Sequence, residues 1–491
     1  MKEKVAIIGS GFGGISASIY LALNGFKVTV FEKNLELGGK ASEIFSNGFR
    51  FDTGPTLVTM PFVIKDLFSK AGKNFHEIIS LKKKDIVCRY FYPDGSIFNE
   101  YADKEKLLYE FENFTGETKS KLIDYFNYSK RIYDLTAELF LFSSFLEFKN
   151  FFNPKAFKTL INFHKIDPFR TIHNANSSFF NSSKIVQLFD RYATYNGSNP
   201  YKAPATLNII PYVEFELGGY YSEGGIYRIV EKLTELAKEV GVKIFTNSNV
   251  EKIIVDRRKI KGLKVNGLET TFDVVISNAD VFYTYQNLIG ETNSKEPKRY
   301  INQELSTSAI VFYFGVEGNS NNLEMDNILF SENYEREFHQ LFEEKIIPDD
   351  PTIHIHISSK KNKKDAPAGY ENWYVMINAP SVKNLEVNID DIRKIILNKI
   401  KRMIGIDLEN RIVFEAYHTP EILEQRTSGL FGSLYGPSSN NRYSAFLRQK
   451  NKSSIFDGLY FCGGTVHPGG GIPLTILSGK ITAELIQRYE K

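Results

Sequence analysis

The first 32 residues constrain the fold of this chain more than any other part of its sequence. An apolar run at 5–8 (VAII) is typical of a buried strand in a parallel sheet, and apolar residues then recur at helical spacing as far as Leu23. A second apolar run, 28–31 (VTVF), ends at Glu32. Between the first strand and the helix stand Gly9, Gly11, Gly13 and Gly14. This order of strand, glycine turn, helix and strand predicts a βαβ unit at the start of an α/β domain.

The glycines of this turn have separate physical roles. Gly9 permits the tight turn, Gly11 lets the backbone approach a diphosphate, and Gly14 lets the helix pack closely on the strand. A diphosphate at this helix N-terminus would meet free N–H groups and the positive end of the helix dipole. Glu32, 21 residues after Gly11, is placed to accept hydrogen bonds from ribose hydroxyls. The sequence therefore predicts a Rossmann-type dinucleotide site formed by Gly9, Gly11, Phe12, Gly13, Gly14, Glu32 and Lys33.

Further glycine motifs follow this unit and recur near the end of the sequence. Leu37-Gly38-Gly39-Lys40 comes soon after Glu32, and 51–55 (FDTGP) follows. Near the C-terminus, 458–464 (GLYFCGG) is typical of a strand that ends in glycines, and 467–473 (HPGGGIP) precedes a terminal amphipathic helix. Three consecutive glycines cost conformational entropy, which indicates a backbone lying where a side chain would collide.

These motifs together resemble those of the large flavoprotein superfamily that includes amine oxidases, protoporphyrinogen oxidases and carotenoid desaturases. The 467–473 string is the most specific of them, and it is similar to the C-terminal signature of the bacterial-type, phytoene-desaturase-like carotenoid desaturases. With 191–195 (RYATY) and 203–207 (APATL), it is most similar to the 1-hydroxycarotenoid 3,4-desaturase branch. The resemblance extends over nearly the whole chain and is strongest at 5–56, 191–280 and 458–480.

The resemblance implies FAD as the cofactor and assigns further residues to it. Lys40 would lie near the FAD pyrophosphate, although the family more often has arginine there, and a solvated surface lysine is the alternative. The main chain of Val250 would meet the adenine ring. The helix that begins near Ile472 would place its positive end by the flavin edge where negative charge collects on reduction. The residues added in this way are Gly38, Gly39, Lys40, Gly54, Pro55, Thr56, Val250, Gly464, Gly471, Ile472 and Pro473.

The resemblance also implies a reaction. In this family a hydride passes from an allylic carbon to the flavin, and a proton leaves the neighbouring carbon. Because a conjugated polyene spreads the developing positive charge, positioning and exclusion of water would be the main contributions of the protein. The function predicted is that of an FAD-dependent oxidoreductase of carotenoid biosynthesis, which introduces a 3,4 double bond into an acyclic, 1-hydroxylated carotenoid end. The sequence identifies no catalytic acid or base; weak candidates for substrate contact, each more often structural, are Arg191, Tyr192, Glu214, Glu216 and Tyr221.

Several alternatives to this function stay open. Within the family they are a phytoene or diapophytoene desaturase and a carotenoid cis-trans isomerase. From another class, a non-catalytic flavin-containing protein that binds membranes is possible. The electron acceptor is likewise open, because oxygen, a membrane quinone or another carrier would all reach a reduced flavin.

The order of predicted elements places the cofactor and the substrate in different parts of the chain. Strands are predicted at 308–314 and 373–377, and 252–271 predicts strand, turn and strand with Gly262 and Gly267 as breakers. The fold class predicted is α/β with α+β parts. It comprises a discontinuous Rossmann-type FAD-binding domain (1–80, 220–295 and 415–491), a mixed-sheet substrate domain (81–109, 191–219 and 296–414) and a helical subdomain that contacts the membrane (110–190).

The membrane prediction rests on a cluster of aromatic residues. The segment 140–169 holds nine of the 40 phenylalanines. Within 140–170 they are interleaved with five Lys or Arg residues and only two acidic residues. Bulky apolar residues beside basic ones are typical of a segment that lies in a membrane interface among anionic head groups. We therefore expect peripheral or monotopic contact, through about 138–170, with the cytoplasmic face of a membrane that holds the carotenoid. A packed aromatic core and the general Lys, Asn, Ile, Tyr and Phe bias of the sequence are the alternatives.

Composition excludes several other classes of protein. A formal net charge of +3 is small for a chain of this size and argues against a nucleic-acid partner. A mean hydropathy of -0.26 argues against a polytopic membrane protein, and two cysteines cannot build a disulfide scaffold. The pair His354 and His356 projects from one face of a strand, but no cluster supplies further metal ligands, so no metal site is predicted.

Overall fold

Strands and helices are interleaved along the chain, which confirms the predicted α/β class. The computed structural model describes residues 3–144, 163–441 and 448–490. The strands are β1 (Lys4–Ile8), β2 (Lys27–Phe31), β3 (Glu43–Ser46), β4 (Phe49–Asp52), β5 (Leu81–Lys83), β6 (Ile86–Phe91), β7 (Ile97–Tyr101), β8 (Tyr220–Ser222), β9 (Lys243–Phe245), β10 (Val250–Asp256), β11 (Lys259–Val265), β12 (Leu268–Thr271), β13 (Val274–Ser277), β14 (Ser308–Glu317), β15 (Asp326–Leu329), β16 (Ile353–His356), β17 (Tyr370–Ala379), β18 (Ile412–His418) and β19 (Leu459–Phe461).

Helices connect these strands and cover the sheets. The α-helices are α1 (Phe12–Leu23), α2 (Pro61–Lys70), α3 (Phe75–Ile78), α4 (Lys104–Thr115), α5 (Lys119–Thr136), α6 (Ile172–Phe179), α7 (Ser183–Asp190), α8 (Ile209–Phe215), α9 (Tyr227–Glu239), α10 (Val281–Tyr283), α11 (Lys295–Ile301), α12 (Tyr334–His339), α13 (Ile389–Ile404), α14 (Pro420–Thr427) and α15 (Ile472–Tyr489). Shorter 3-10 or π turns span Ala137–Leu141, Phe163–Ile166, Arg191–Asn196, Ala205–Asn208, Thr284–Ile289, Gln340–Glu344, Ser358–Lys360, Lys363–Asp365 and Leu430–Gly432.

A parallel sheet of five strands contains the N-terminal βαβ unit. Its order is β19-β13-β1-β2-β9, with β1 paired to β13 on one side and to β2 on the other. The residues 5–8 of β1 are buried, as expected for a central strand covered by helices on both faces. Because β19 comes from residues 459–461, the two ends of the chain meet in one sheet.

The last helix of the described chain packs directly against the first. A side-chain carbon added at Gly479 of α15 would lie 2.1 Å from Ser16 Oγ and 2.4 Å from the carbonyl oxygen of Gly13, both on α1. Ser16 Oγ also donates a hydrogen bond of 3.2 Å to the carbonyl of Ile476. The absence of a side chain at Gly479 therefore lets α15 approach α1 closely enough for this contact.

A second, mixed sheet of seven strands has the order β18-β14-β17-β16-β15-β6-β7. The pairing of β15 with β6 is parallel, and the other pairs are antiparallel. The strands predicted at 308–314 and 373–377 lie in β14 and β17, which are neighbours in this sheet. The domain boundaries themselves remain a prediction.

A three-stranded antiparallel sheet corrects one expectation. The segment 252–271 contributes to three strands, β10, β11 and β12, instead of two. Gly262 is not a breaker: it lies inside β11, where an added side-chain carbon would be 2.1 Å from the carbonyl oxygen of Thr270. Glycine here permits close approach of the neighbouring strand, whereas Gly267 does lie in a turn between strands with a φ of 83°.

The described helices between 104 and 190 form an aromatic core. The ring of Tyr125 lies 4.3 Å from that of Phe189, which stacks on Phe180 at 5.1 Å. Part of the aromatic excess therefore belongs to a packed interior. Residues 145–162, which hold most of the predicted membrane segment, lie outside the described residues. Among the helices that are described, none combines the length and the hydropathy needed to cross a bilayer.

The contact between the first and last helices generates a prediction about stability. Replacing glycine by alanine inside a helix usually stabilises it by about 1 kcal/mol. We expect Gly479→Ala to have the opposite sign, lowering the free energy of unfolding by about 1–3 kcal/mol, because the new methyl group overlaps Gly13 and Ser16. Thermal unfolding of the FAD-loaded protein measures the change.

The matched control is Asn398→Ala, which gains helix propensity at an exposed position of α13. This variant should match or slightly exceed the wild type in its unfolding midpoint. A stabilised Gly479→Ala protein would show that α15 and α1 do not pack as closely as described.

Candidate functional site

A cavity of about 610 Å³ is lined by both large sheets. The loops that follow β1, β2, β13 and β19 form one part of its wall, and side chains of β14, β15, β16 and β17 form another. The carboxyl ends of parallel strands are the usual position of a ligand site in an α/β sheet. All residues predicted at the cofactor line this cavity except Gly14.

Gly14 instead fixes the helix on the strand. A side-chain carbon at this position would lie 2.2 Å from the carbonyl oxygen of Gly9. Gly9 itself has a φ of 91°, which glycine adopts without strain. The different roles inferred for the two glycines from the sequence agree with these positions.

Two helix N-termini reach the cavity without a side-chain cap. The N-cap of α1 is Gly11 and that of α15 is Gly471, and neither accepts a hydrogen bond into its helix through a side chain. Residues of both first turns line the cavity. Each N-terminus presents free N–H groups and the positive end of a helix dipole, so the cavity has two positions that favour negative charge.

Glu32 lies at the end of β2 and is buried. Its Oε2 accepts hydrogen bonds from the backbone N–H and the hydroxyl of Ser10, at 2.9 and 2.8 Å. Its Oε1 accepts from the backbone N–H and the side-chain amide of Asn34, each at 3.0 Å. The carboxylate therefore fixes the glycine turn. The neighbouring Lys33 donates to the carbonyl of Gln425 and to Ser428 Oγ, which connects β2 to the C-terminal part of the chain.

Lys40 is not the solvated surface lysine considered as the alternative. Burial lowers the pKa of its side chain to about 8. Its ammonium group donates to the carbonyls of Ser433 and Leu434, while its own carbonyl lies against Gly54. A side-chain carbon at Gly54 would be 2.1 Å from that oxygen, so the loop at 54–56 can approach the 38–40 loop only with glycine there.

Arg191, Tyr192 and Glu214 come together in one buried cluster. Tyr192 and Tyr195 each donate to one carboxylate oxygen of Glu214, and Arg191 donates to the hydroxyl of Tyr90 at 2.7 Å. The guanidinium lies 4.7 Å from the ring centroid of Tyr192 and 5.4 Å from that of Tyr195. Arg191 and Glu214 line the cavity, whereas Tyr192 does not.

The other two candidates for substrate contact lie elsewhere. Glu216 is exposed and forms a 3.1 Å ion pair with Lys104. Tyr221 lies in β8, where it pairs with Lys82 of β5, and it does not line the cavity. The structure does not bring either residue to the site. Polarity combined with aromatic surroundings, the pattern that suggested them, does not show which side chains face a cavity.

A charged group in the cavity wall was missed by sequence reasoning. Asp326 Oδ1 accepts hydrogen bonds from His354 Nε2 at 3.1 Å and from His356 Nδ1 at 2.9 Å, and Oδ2 accepts from the ammonium of Lys84. Although burial opposes it, Lys84 and His356 hold the pKa of Asp326 well below its usual value. The two histidines share one partner, as their alternation along β16 predicts, but that partner is a carboxylate. No metal-binding group of His, Cys, Asp or Glu occurs among the described residues.

Comparison with known proteins identifies the family. A model of the family described as flavin containing amine oxidoreductase matches residues 12–487. The chain belongs to this family. The flavoprotein is 42% identical to 1-hydroxycarotenoid 3,4-desaturase of a Flavobacterium species, with 99% of each chain covered. It is 30% identical to 4,4'-diaponeurosporene oxygenase of Staphylococcus haemolyticus, over 100% of this chain and 98% of that one. The resemblance to carotenoid desaturases is thereby confirmed.

A solved structure shares the fold. Cyclohexylamine oxidase of Brevibacterium oxydans superposes with a TM-score of 0.63 at 11% identity, over 100% of both chains. The flavoprotein is thus an FAD-dependent oxidoreductase of the carotenoid desaturase and oxidase group.

The cavity fits FAD on physical grounds. Its glycine-lined part leaves the backbone accessible at Gly9, Gly11 and Gly13, and the two uncapped helix N-termini suit the negative charges of a diphosphate and a reduced flavin. Other residues of the cavity wall are apolar, and Ile209, Ile210 and Val213 are among them. The cavity therefore combines a polar, anion-binding region with apolar surface.

Glu32 supports a prediction about cofactor binding. We expect Glu32→Ala to weaken FAD binding by about 1.5–3 kcal/mol, because the ribose loses an acceptor and the turn loses the bonds to Ser10. Quenching of FAD fluorescence on titration with apoprotein measures the dissociation constant.

Ser10→Ala is the matched control, since it removes the hydroxyl bond but keeps the backbone N–H bond to Glu32. Its loss of affinity should be clearly smaller. An unchanged dissociation constant for Glu32→Ala would remove this residue from the cofactor site.

Proposed function

We propose that this flavoprotein is a carotenoid desaturase that introduces a 3,4 double bond into an acyclic carotenoid with a 1-hydroxylated end. The observation that carries the proposal is the 42% identity, over 99% of both chains, to a desaturase named for that substrate. The geometry supports it, because the cavity that fits FAD also has apolar wall residues able to contact a hydrocarbon.

We assign the parts of the cofactor to the residues around the cavity as follows. Gly11, Phe12 and Gly13 at the N-terminus of α1 would hold the diphosphate, and Glu32 would bind the ribose. Val250 would contact the adenine ring, and the loop at 54–56 and the N-terminus of α15 would hold the flavin. Lys40 stabilises the loops around the diphosphate, since its ammonium group is held by the carbonyls of Ser433 and Leu434.

The reaction removes two hydrogens from adjacent carbons. Bound FAD supplies the hydride acceptor. An allylic carbon of the substrate loses a hydride, the neighbouring carbon loses a proton, and the electron pair of the second C–H bond forms the new double bond. The protein excludes water with the apolar wall and fixes the distance between the substrate and the acceptor.

A second candidate function is oxygenation of a carotenoid end. It is favoured by the identity of 30–32% to several proteins named 4,4'-diaponeurosporene oxygenase. Desaturation of unhydroxylated phytoene-type chains and isomerisation without net oxidation are further outcomes that one assay separates.

The assay offers single carotenoids in liposomes to the purified, FAD-loaded protein. We expect a 1-hydroxylated acyclic carotenoid to yield a product that absorbs at longer wavelength and has lost two hydrogens by mass, because conjugation lengthens by one double bond. Incubation with and without oxygen, and with a quinone, identifies the electron acceptor.

Phytoene is the control substrate and should stay unchanged. Conversion of phytoene would contradict the assignment to the hydroxylated end. A product that has gained oxygen would instead place the protein with the oxygenases, and a product of unchanged mass would show isomerisation.

We further propose that the protein takes its substrate from the cytoplasmic face of a membrane through about 138–170. The Phe-rich segment begins at the cavity, since Phe140 and Leu141 line it. Beside this edge Phe62 is 43% exposed, and its ring lies 6.2 Å from that of Phe142. An apolar path from the bilayer to the cavity suits a hydrocarbon that is insoluble in water.

Flotation with anionic liposomes tests the membrane segment. We expect a variant with Phe148, Phe151 and Phe152 changed to Ser to float less than the wild type, because less apolar surface enters the bilayer. The control changes Phe45 and Leu268, exposed by 71% and 73%, to Ser and should float normally. Equal flotation of the triple variant and the wild type would discard the segment as the anchor.

A further inference from the structure

One part of the cavity wall carries charge where the neighbouring wall is apolar. We call it the polar corner; it consists of Lys84, Asp326, His354 and His356. Lys84 and Asp326 are buried with side chains exposed by 2% and 7%, and together with His354 they line the cavity. Burying charged groups costs free energy that their mutual attraction often fails to recover. Stability alone therefore gives little reason for this cluster, which points to a binding role.

The hydrogen bonds of the polar corner determine which atoms remain for a ligand. The Asp326 carboxylate only accepts hydrogen bonds, so His354 Nε2 and His356 Nδ1 both donate to it. Burial lowers the pKa of His354, which keeps its ring neutral and leaves Nδ1 as an acceptor. Within the described part of the chain, Nδ1 of His354 has no hydrogen bond, and the ammonium of Lys84 uses one of its three donors.

Each of these two atoms can bind a hydroxyl group. A hydroxyl offers one donor and two acceptor lone pairs. It can donate to Nδ1 of His354 or accept from the ammonium of Lys84. A charged donor makes such a hydrogen bond stronger than one between neutral groups.

The polar corner also lies beside the loop assigned to the flavin. Thr56 Oγ1, two residues after Gly54, lies 3.5 Å from Asp326 Oδ1. His354 is paired in register with Met376 of β17, and Met376 and Tyr374 line the same cavity. The charged group is therefore near the place where the substrate meets the cofactor.

We propose that the polar corner binds the hydroxyl group of the substrate end and so selects 1-hydroxylated carotenoids over hydrocarbons. The inference rests on the proposed function. In a 1-hydroxylated end, about three bonds, or roughly 4 Å, separate the hydroxyl oxygen from the carbon at position 3. The group that holds the hydroxyl must then lie close to the flavin, as the polar corner does through Thr56.

The second charged cluster of the cavity is less suited to this role. Both carboxylate oxygens of Glu214 are occupied by tyrosine hydroxyls, and the guanidinium of Arg191 is covered by aromatic rings. Nε of Arg191 has no hydrogen-bond partner among the described residues, but the atom is fully buried. This cluster therefore offers a ligand fewer open polar atoms than the polar corner.

Selectivity arises because a hydrocarbon leaves the polar groups of the polar corner without hydrogen-bond partners. A carotenoid without the hydroxyl displaces water from Lys84 and His354 but replaces none of its hydrogen bonds. A site built to bind a hydroxyl rejects the analogue lacking it, because the buried polar groups are left unpaired. Asp326 acts as a positioning residue, since it orients His354 and Lys84 without contacting the substrate.

The test measures binding without turnover. The FAD-loaded protein is reduced beforehand and kept free of oxygen, so that no hydride can be transferred, and is titrated with a 1-hydroxylated carotenoid or the corresponding hydrocarbon in detergent micelles. We expect the wild type to bind the hydroxylated ligand roughly 10- to 100-fold more tightly. His354→Phe should reduce this ratio about tenfold, and His354→Gln, which keeps an acceptor, should restore part of it.

A double variant removes the charged donor without leaving an unpaired carboxylate. Lys84→Met combined with Asp326→Asn should bring the ratio close to one while the flavin spectrum and unfolding midpoint stay near those of the wild type. Tyr195→Phe, in the Arg191 cluster, is the matched control and should leave the ratio unchanged. Equal losses of affinity for both ligands in the His354 and double variants, or a wild-type ratio near one, would overturn the proposal.

The proposed function is tested separately with the oxidised protein. If the protein desaturates the hydroxylated carotenoid, but the variants of the polar corner leave the ratio of affinities unchanged, this inference alone is refuted. A protein that does not desaturate that carotenoid, yet loses its binding preference in the His354 variant, would refute the proposed reaction and retain the hydroxyl site.

Discussion

The rest of the structure depends on a close contact between the two ends of the chain. A side-chain carbon at Gly13 would lie 2.8 Å from the backbone N of Gly463, and one at Gly479 would lie 2.1 Å from Ser16 Oγ. Glycine at these positions lets β19 and α15 assemble on the first βαβ unit, although more than 400 residues intervene. This contact brings the N-termini of α1 and α15 to one cavity, so the anion-binding character of the site follows from backbone packing more than from charged side chains.

The buried charged side chains are held by hydrogen bonds and ion pairs, whereas the anion-binding region is formed by backbone packing. Lys40 is held by backbone carbonyls, and Lys84 is held by the carboxylate of Asp326. Removing one member of a buried charged pair is more damaging than replacing the whole pair with apolar groups, because the remaining charge stays uncompensated. Such groups therefore constrain one another, and the polar corner keeps a fixed geometry within a largely apolar wall.

The sequence predicts the cofactor region better than the substrate wall, for a physical reason. The glycine motifs are local: Gly9 and Gly14 act through the turn and helix they belong to, so their roles can be inferred from order and spacing. Asp326 and Lys84 are 242 residues apart, and they meet because β15 pairs with β6, the strand that follows Lys84. Residue type suggests Glu216 and Tyr221 as substrate contacts, but sequence alone does not show which side chains of a short helix or edge strand face a cavity. The predicted break at Gly262 is wrong, because glycine occurs where strands approach closely as well as in turns.

An apolar wall alone cannot fix the register of a long polyene. Hydrophobic attraction is non-directional, so a chain displaced by one C–C bond, about 1.5 Å, buries nearly the same surface. Such a displacement would present a different carbon to the hydride acceptor. A hydrogen-bonded end removes this freedom, because a hydroxyl bound by His354 or Lys84 has strict distance and angle requirements. The polar corner would then determine which bond is oxidised as well as which carotenoid binds, while the apolar wall supplies most of the affinity.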